Sequence, residues 1–260
     1  MNVEDFNVDI LSKNIKISTI TLDCKIELKK KEIKQIIELD LKKFENEEIL
    51  NKFKEIIFIK NRSMLILNNE TKEFLKKINN KNITKSEKYY YKKINKKLKS
   101  KLFSNQTSLL IKINNNNTYI KIFKNGTIHL TGFNNLETLK KIMEILKELI
   151  RYVFKIDIII KDYKIRLINS SINIHYKINR TKLYKELLDK KINVHYNPNR
   201  YAGVNVKINL NDNKTTFLIF HTGMMLILAS GGFKHLELSY KYIVNLLDNL
   251  KSKIICKKIE

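Results

Sequence analysis

The chain has 260 residues, with 51 Lys and Arg against 26 Asp and Glu and a formal net charge of +25. That length holds a packed core in one or two domains, and so large a cationic surplus calls for a polyanionic partner, by neutralising phosphates and releasing their counterions. Its two cysteines, Cys24 and Cys256, are too few for a disulfide framework, and no apolar run reaches the ~18 residues that cross a bilayer. Abundant Lys, Asn and Ile also fit A+T-rich coding, so charge supports nucleic-acid binding without proving it. The mixed, partly acidic start Met1 to Asn14 is unlike a signal peptide, and the protein is expected to be soluble, in a reducing compartment inside the cell.

In chain order, the alternating, β-branched run Ile15 to Leu28 predicts a strand, and Lys29 to Leu41 a helix. Residues 42–105 lose this regularity and hold the most basic stretch, Ser86 to Lys101, so they are expected to form an insertion, partly helical and partly mobile. Ser108 to Ile113, Thr118 to Phe123 and Thr127 to Thr131 predict three strands. Asn125-Gly126 suits a type I′ turn between the last two. Leu136, Leu139, Ile142, Met143, Leu146 and Ile150 make one helical stripe. Lys164 to Tyr176 predicts a strand, and Thr181 to Leu188 a helix capped by Thr181. Gly203 to Leu210, Thr215 to Phe220 and Met224 to Leu228 predict strands, followed by a helix from Phe233 carrying Leu236, Tyr240, Ile243 and Leu247.

The two halves repeat one pattern. Ile122-Phe123-Lys124-Asn125-Gly126 returns 97 residues later as Ile219-Phe220-His221-Thr222-Gly223, each followed by an apolar strand, a short loop and an amphipathic helix. Two copies imply a pseudo-twofold α+β fold, with 1–150 as the first repeat and 151–260 as the second. Met224 to Leu228 is apolar on both faces, whereas an antiparallel strand with one wet face alternates. Helices can cover one face, so the other is expected to press against a partner.

Within this frame, Tyr196-Asn197-Pro198-Asn199-Arg200-Tyr201-Ala202-Gly203-Val204 and Phe217-Leu218-Ile219-Phe220-His221-Thr222-Gly223 resemble motifs of the TATA-binding protein family. Tyr163-Lys164-Ile165 with Ser171, Ser18 to Leu28, and Asn125-Gly126 through Thr131-Gly132 are similar to further segments of that family, in its order. The resemblance implies a saddle: a curved antiparallel sheet with helices on the convex face and a concave face that bends the minor groove of A·T-rich DNA. It implies Phe123, Phe220 and Tyr201 as wedges, the fourth wedge falling on Gln106 unless Phe103 substitutes. Leu218, Leu226, Leu228, Ile17, Thr19 and Thr131 are implied as groove-lining, and Lys112 and Lys207 as phosphate contacts.

Departures from the family pattern are concentrated at the groove centre. Ile15 and Leu167 replace two asparagines, Leu228 replaces a threonine, Lys121 a leucine, and Thr127 and Met224 two lysines. The partners implied are double-stranded A·T-rich promoter DNA and a transcription factor IIB-like factor or RNA polymerase subunits, in a nucleus or a viral factory. An interaction scaffold that has lost DNA bending is the alternative. His129, His175, His195, His221 and His235 lack ligand spacing, and no nucleophile–base set stands out. No catalysis, cofactor, metal, membrane or small-molecule substrate is therefore expected.

Overall fold

The computed structural model describes residues 6–29, 31–33, 49, 52–60, 65–77, 84–99, 106–114 and 116–256. The chain divides into two compact units, a central one, Asp23–Tyr163, and a terminal one made of Met1–Leu22 and Lys164–Glu260. The unit boundaries fall inside two long strands, β1 (Lys16–Glu27) and a later one, Ile159–Asn173.

The central unit adds β2 (Ile56–Lys60), β3 (Leu65–Leu67), β4 (Gln106–Ile113), β5 (Asn116–Phe123) and β6 (Thr127–Phe133), with helices α1 (Asn69–Lys77), α2 (Lys85–Lys99) and α3 (Leu136–Phe154). Its strand order is β3-β2-β4-β5-β6-β1. Thr118, Ile120 and Ile122 of β5 are buried and pair with Ile111, Leu109 and Thr107 of β4, which defines a core face. The predicted stripe of α3 covers that face through Leu139, Ile142, Met143, Leu146 and Ile150. Each such aliphatic side chain contributes about 1.5–3 kcal/mol by leaving water. Asn135 starts the helix by accepting the Thr138 N–H at 2.8 Å.

The terminal unit contains β7 (Ile159–Asn173), α4 (Arg180–Asp189), β8 (Asn193–His195), β9 (Val204–Leu210), β10 (Asn213–Ile219), β11 (Met224–Ala229) and α5 (Gly232–Ile254). Here the order is β1-β7-β11-β10-β9-β8. Val206, Ile208, Phe217, Ile219, Met225 and Ile227 are buried on one face, against which α5 packs. The α4 cap is Asn179 and not Thr181. Asn179 is extended and its side chain accepts the Lys182 N–H at 3.0 Å, while Thr181 is already inside the first turn. β7 stops at Asn173 because His175 takes a left-handed φ of 60°, its N–H bonded to the Asn173 side chain. The N-terminal segment is anchored on α5: the Phe6 and Phe233 rings meet edge-on at 6.0 Å, and Ser12 donates twice to the Glu237 carboxylate.

The repeat extends to the hydrogen bonds. In each unit a turn closes by donation from the glycine N–H to the phenylalanine carbonyl, Gly126 to Phe123 at 2.8 Å and Gly223 to Phe220 at 3.1 Å. Each glycine carbonyl then accepts from the unit's long strand or the residue after it, from Ile26 at 2.8 Å and from Ile174 at 3.1 Å. Both glycines have φ near +80°, but Asn125 is not left-handed, so the expected type I′ turn is replaced by a turn ending in one left-handed glycine. Across β4-β5-β6 and β9-β10-β11 the register is also preserved. Ser108↔Lys121 matches Asn205↔Leu218, Leu110↔Tyr119 matches Lys207↔Thr216, and Tyr119↔Thr131 matches Thr216↔Leu228.

The same register locates the inserted sequence. β2 lies beside β4 as β8 lies beside β9, so residues 61–105 stand where the terminal unit has only 196–202. Residues 56–60, expected to belong to an insertion, are a strand of the repeat itself. From the expected first helix, Ile36, Ile37, Asp40 and Leu41 lie outside the described residues, as does Phe103.

Candidate nucleic-acid interface

In each unit the sheet has a second face, opposite the helix that covers the core. In the terminal unit this face carries Ile17, Thr19, Asn169, Ser171, Asn205, Lys207, Thr216, Leu218, Leu226 and Leu228. Leu218 lies directly across from Leu226, and Thr216 from Leu228, so the leucines form one apolar strip along β10 and β11. Leu226 and neighbouring Met224 are each 37% exposed, so no helix among the described residues covers this apolar surface. Lys207 is exposed at the outer side of the strip.

An aromatic pair stands at the end of this strip. The Tyr201 and Phe220 rings meet edge-to-face at 5.9 Å, with Tyr201 47% exposed. The pair depends on Gly203, where a Cβ would stand 3.0 Å from Tyr201 Cε1 and 3.2 Å from Phe220 Cε1. Next to Phe220 in sequence, the His221 ring bonds through Nδ1 to the Ile178 carbonyl at 2.9 Å and so holds the turn.

Two asparagines on this face were not singled out in the sequence. Asn169 donates its amide to Thr19 at 2.8 Å, so its polar group is held within the sheet face. Asn205 keeps a buried Oδ1 with no hydrogen-bond partner, beside a cleft of about 390 Å³ lined by Tyr201, Gly203 and Leu218. Both alternate with buried residues along their strands, a signal that the β-period could have supplied. Ile15 and Leu167 bring no amide to the face.

The corresponding face of the central unit is chemically different. Phe123, Lys121, Thr131 and exposed Lys112 share it with Gln106, Ser108, Leu110, Tyr119 and His129. Phe123 is half-buried, and opposite it Gln106 is buried, its amide donating to Ser108 at 3.3 Å. His129 Nδ1 is 2.6 Å from Asp23, which places a carboxylate among the cations. By register Gln106 aligns with Gly203 and not with Tyr201, Leu110 with Lys207, and Lys112 with Asn209.

This second face was expected to stand vacant, and part of it is covered. Phe58, Ile57, Leu110 and Ile94 of α2 form a buried cluster, against which Tyr119, Leu67 and Leu75 of α1 pack. Phe58 lies directly across from Leu110 and Leu110 across from Tyr119, which makes an apolar patch too continuous to leave in water. Leu67, Leu75 of α1 and Ile94 of α2 supply its cover. The most basic stretch of the expected insertion is therefore a helix, α2, that also packs on the sheet.

The described residues contain no cluster of three or more His, Cys, Asp or Glu that could hold a metal. Burial, with Asp23 adjacent, pushes the Cys24 thiol up to about 12, which leaves it protonated and unreactive near neutral pH. No helix among the described residues is long and apolar enough to cross a membrane.

Three comparisons bear on this arrangement. The family model described as transcription factor TFIID, or TATA-binding protein, matches residues 162–250. A TATA-box-binding protein-like protein of Acanthamoeba polyphaga mimivirus is 32% identical over 280 residues, covering 93% of this chain and 67% of the relative. The solved TBP of Methanococcus jannaschii aligns with a TM-score of 0.49 at 17% identity, over 92% of this chain and 98% of that one. On the mimivirus relationship, with the family match across the second repeat, the chain belongs to the TATA-binding protein family of non-enzymatic transcription factors.

Proposed function

We propose that this protein is a transcription initiation factor that binds A·T-rich duplex DNA through the minor groove and bends it. The observation that carries this reading is the terminal unit's second face, with Leu226 exposed in a strip of leucines beside an aromatic pair whose Tyr201 stands in water. The A·T minor-groove floor lacks the amino group that guanine projects there, so an apolar strip can lie against it in van der Waals contact once the groove is widened. Phe220 with Tyr201, and Phe123 in the other unit, act as wedges that unstack a base step. Deformable steps then supply selectivity through their low bending cost. Lys207 and Lys112 neutralise phosphates at the margins, with Lys121 between the two kinds of contact.

Leu238 and Tyr242 lie one turn apart on α5 and are 44% and 39% exposed, which supports docking of a recruiting factor or polymerase subunit there. The mimivirus relative supports action in a nucleus or a viral factory. Titration of A·T-rich and G·C-rich duplexes tests the reading with Leu226→Glu/Leu228→Glu. This variant should bind A·T-rich duplex at least about 10-fold more weakly, one to two buried contacts' worth. Equal binding by the variant would contradict groove contact by this face.

The covered patch at Leu110 and Tyr119 favours a second reading, a protein-interaction scaffold of this fold that no longer bends DNA. Nuclease-resistant capture of polymerase subunits, with no binding of purified protein to any duplex, would select it over the first.

A further inference from the structure

The terminal unit presents exposed Lys207 at the position where the central unit has buried Leu110. What covers Leu110 is α2, a helix of seven lysines and one glutamate, seated through Ile94, which is only 2% exposed. At 100° per residue, Lys85, Tyr89, Lys92 and Lys96 fall on the side of the helix opposite Ile94, at the i, i+4, i+7, i+11 spacing of one stripe. All four are exposed, Tyr89 to 72%. At the register where the terminal unit exposes a lysine, the central unit thus has an apolar socket for a helix whose outer side is cationic.

We infer that α2 is a phosphate-contacting ridge for duplex DNA, in which Lys85, Lys92 and Lys96 take over from the central-unit sheet the role that Lys207 has in the terminal unit. This rests on the proposed DNA binding and adds a site to it. The stripe spans about 16 Å, from 11 residues at 1.5 Å each, a reach of several phosphates along one strand. Lysine serves there as a point charge and Tyr89 as a hydroxyl donor, so the ridge contributes affinity and orientation but no base readout. Packing through Ile94 fixes the helix, so the charges are presented without the ordering cost of a loose arm.

The test is duplex-DNA affinity against salt for wild type, for Lys85→Gln/Lys92→Gln/Lys96→Gln, and for Leu226→Ala/Leu228→Ala. The lysine substitutions are at exposed positions, and circular dichroism checks that the fold is kept. Three lost phosphate contacts lower the magnitude of the log–log salt slope by about 2.7. Between 50 and 200 mM salt, wild type should then lose about 40-fold more affinity than the triple variant. The uncharged Leu226→Ala/Leu228→Ala protein should bind more weakly at every salt concentration with its slope unchanged, since it loses apolar contact and no charge. If wild type binds and the triple variant keeps the wild-type slope, the ridge is overturned while groove binding stands. Tighter binding by the triple variant would show that α2 obstructs the duplex, which also overturns it. A wild type that binds no duplex removes the functional reading itself, and the ridge with it.

Discussion

Single residues in this chain act mostly by what they permit. Gly223 is left-handed at φ +86°, and a Cβ there would stand 2.5 Å from the Tyr176 carbonyl, whereas at Gly126 the nearest atoms are 3.1 Å away. Left-handed alanine alone costs about 1–2 kcal/mol. Gly223→Ala should therefore destabilise by about 2 kcal/mol or more and Gly126→Ala by about half that, read from urea midpoints. Equal losses would mean that the backbone contact is not limiting. Gly203→Ala is a different case, with no left-handed φ, and it displaces the Tyr201–Phe220 pair. Its effect belongs in DNA bending, with stability changed by less than about 1 kcal/mol.

His235 is buried between α5 and β10, 2.8 Å from the Thr215 hydroxyl and 3.2 Å from Ser239. Burial lowers its pKa below the ordinary value of 6.5. The unfolded chain then takes up the proton first as pH falls, so this stability is present above pH 6.5 and is lost on acidification below it. Urea melts at pH 7.5 and 5.5 should show the loss in wild type and a shallower pH dependence in His235→Gln. The same pH dependence in both proteins would assign it to other groups.

At the scale of elements, the three-strand meander and its covering helix were readable from the sequence because alternation and a 3.6 period give strong signals there. Phe123–Gly126 and Phe220–Gly223 also marked the repeat. The α4 cap was misplaced because Asn179 and Thr181 are both good cap residues, and only the extended backbone of Asn179 decides between them. β2 was hidden since Ile56 to Ile59 is buried on both faces and so does not alternate. The packing of α2 on Leu110 was not legible, because the described residue that makes the contact, Ile94, is set among lysines and tyrosines. Such a contact is testable. Ile94→Ala should cost the α1–α2 segment about 2–4 kcal/mol, the range for truncating a buried aliphatic side chain. Hydrogen exchange should then quicken across 85–99 while β5 and β6 keep their protection. Unchanged exchange in α2 would mean that Ile94 does not hold it.

For the whole molecule, the two units share one hydrogen-bonded pattern and have diverged in what their second faces offer. The terminal unit keeps an apolar strip, an aromatic pair and an exposed lysine. The central unit carries Lys121, His129 and Asp23, and buries its apolar patch under its own chain. The repeat relationship was legible early because the 97-residue offset is constant. The divergence was not, because it depends on which strand residue each side chain faces. The proposed contact with DNA is then asymmetric, with the terminal unit supplying most of the groove contact. Phe220→Ala should accordingly reduce bending more than Phe123→Ala.

The most direct measurement is energy transfer between dyes at the two ends of an A·T-rich duplex, titrated with wild type, Phe220→Ala, Phe123→Ala and the double variant. The account predicts a shortened end-to-end distance with wild type, a smaller change with Phe220→Ala than with Phe123→Ala, and the least with the double variant. A duplex that stays straight while saturated with wild type, or one that the double variant bends equally, would contradict it.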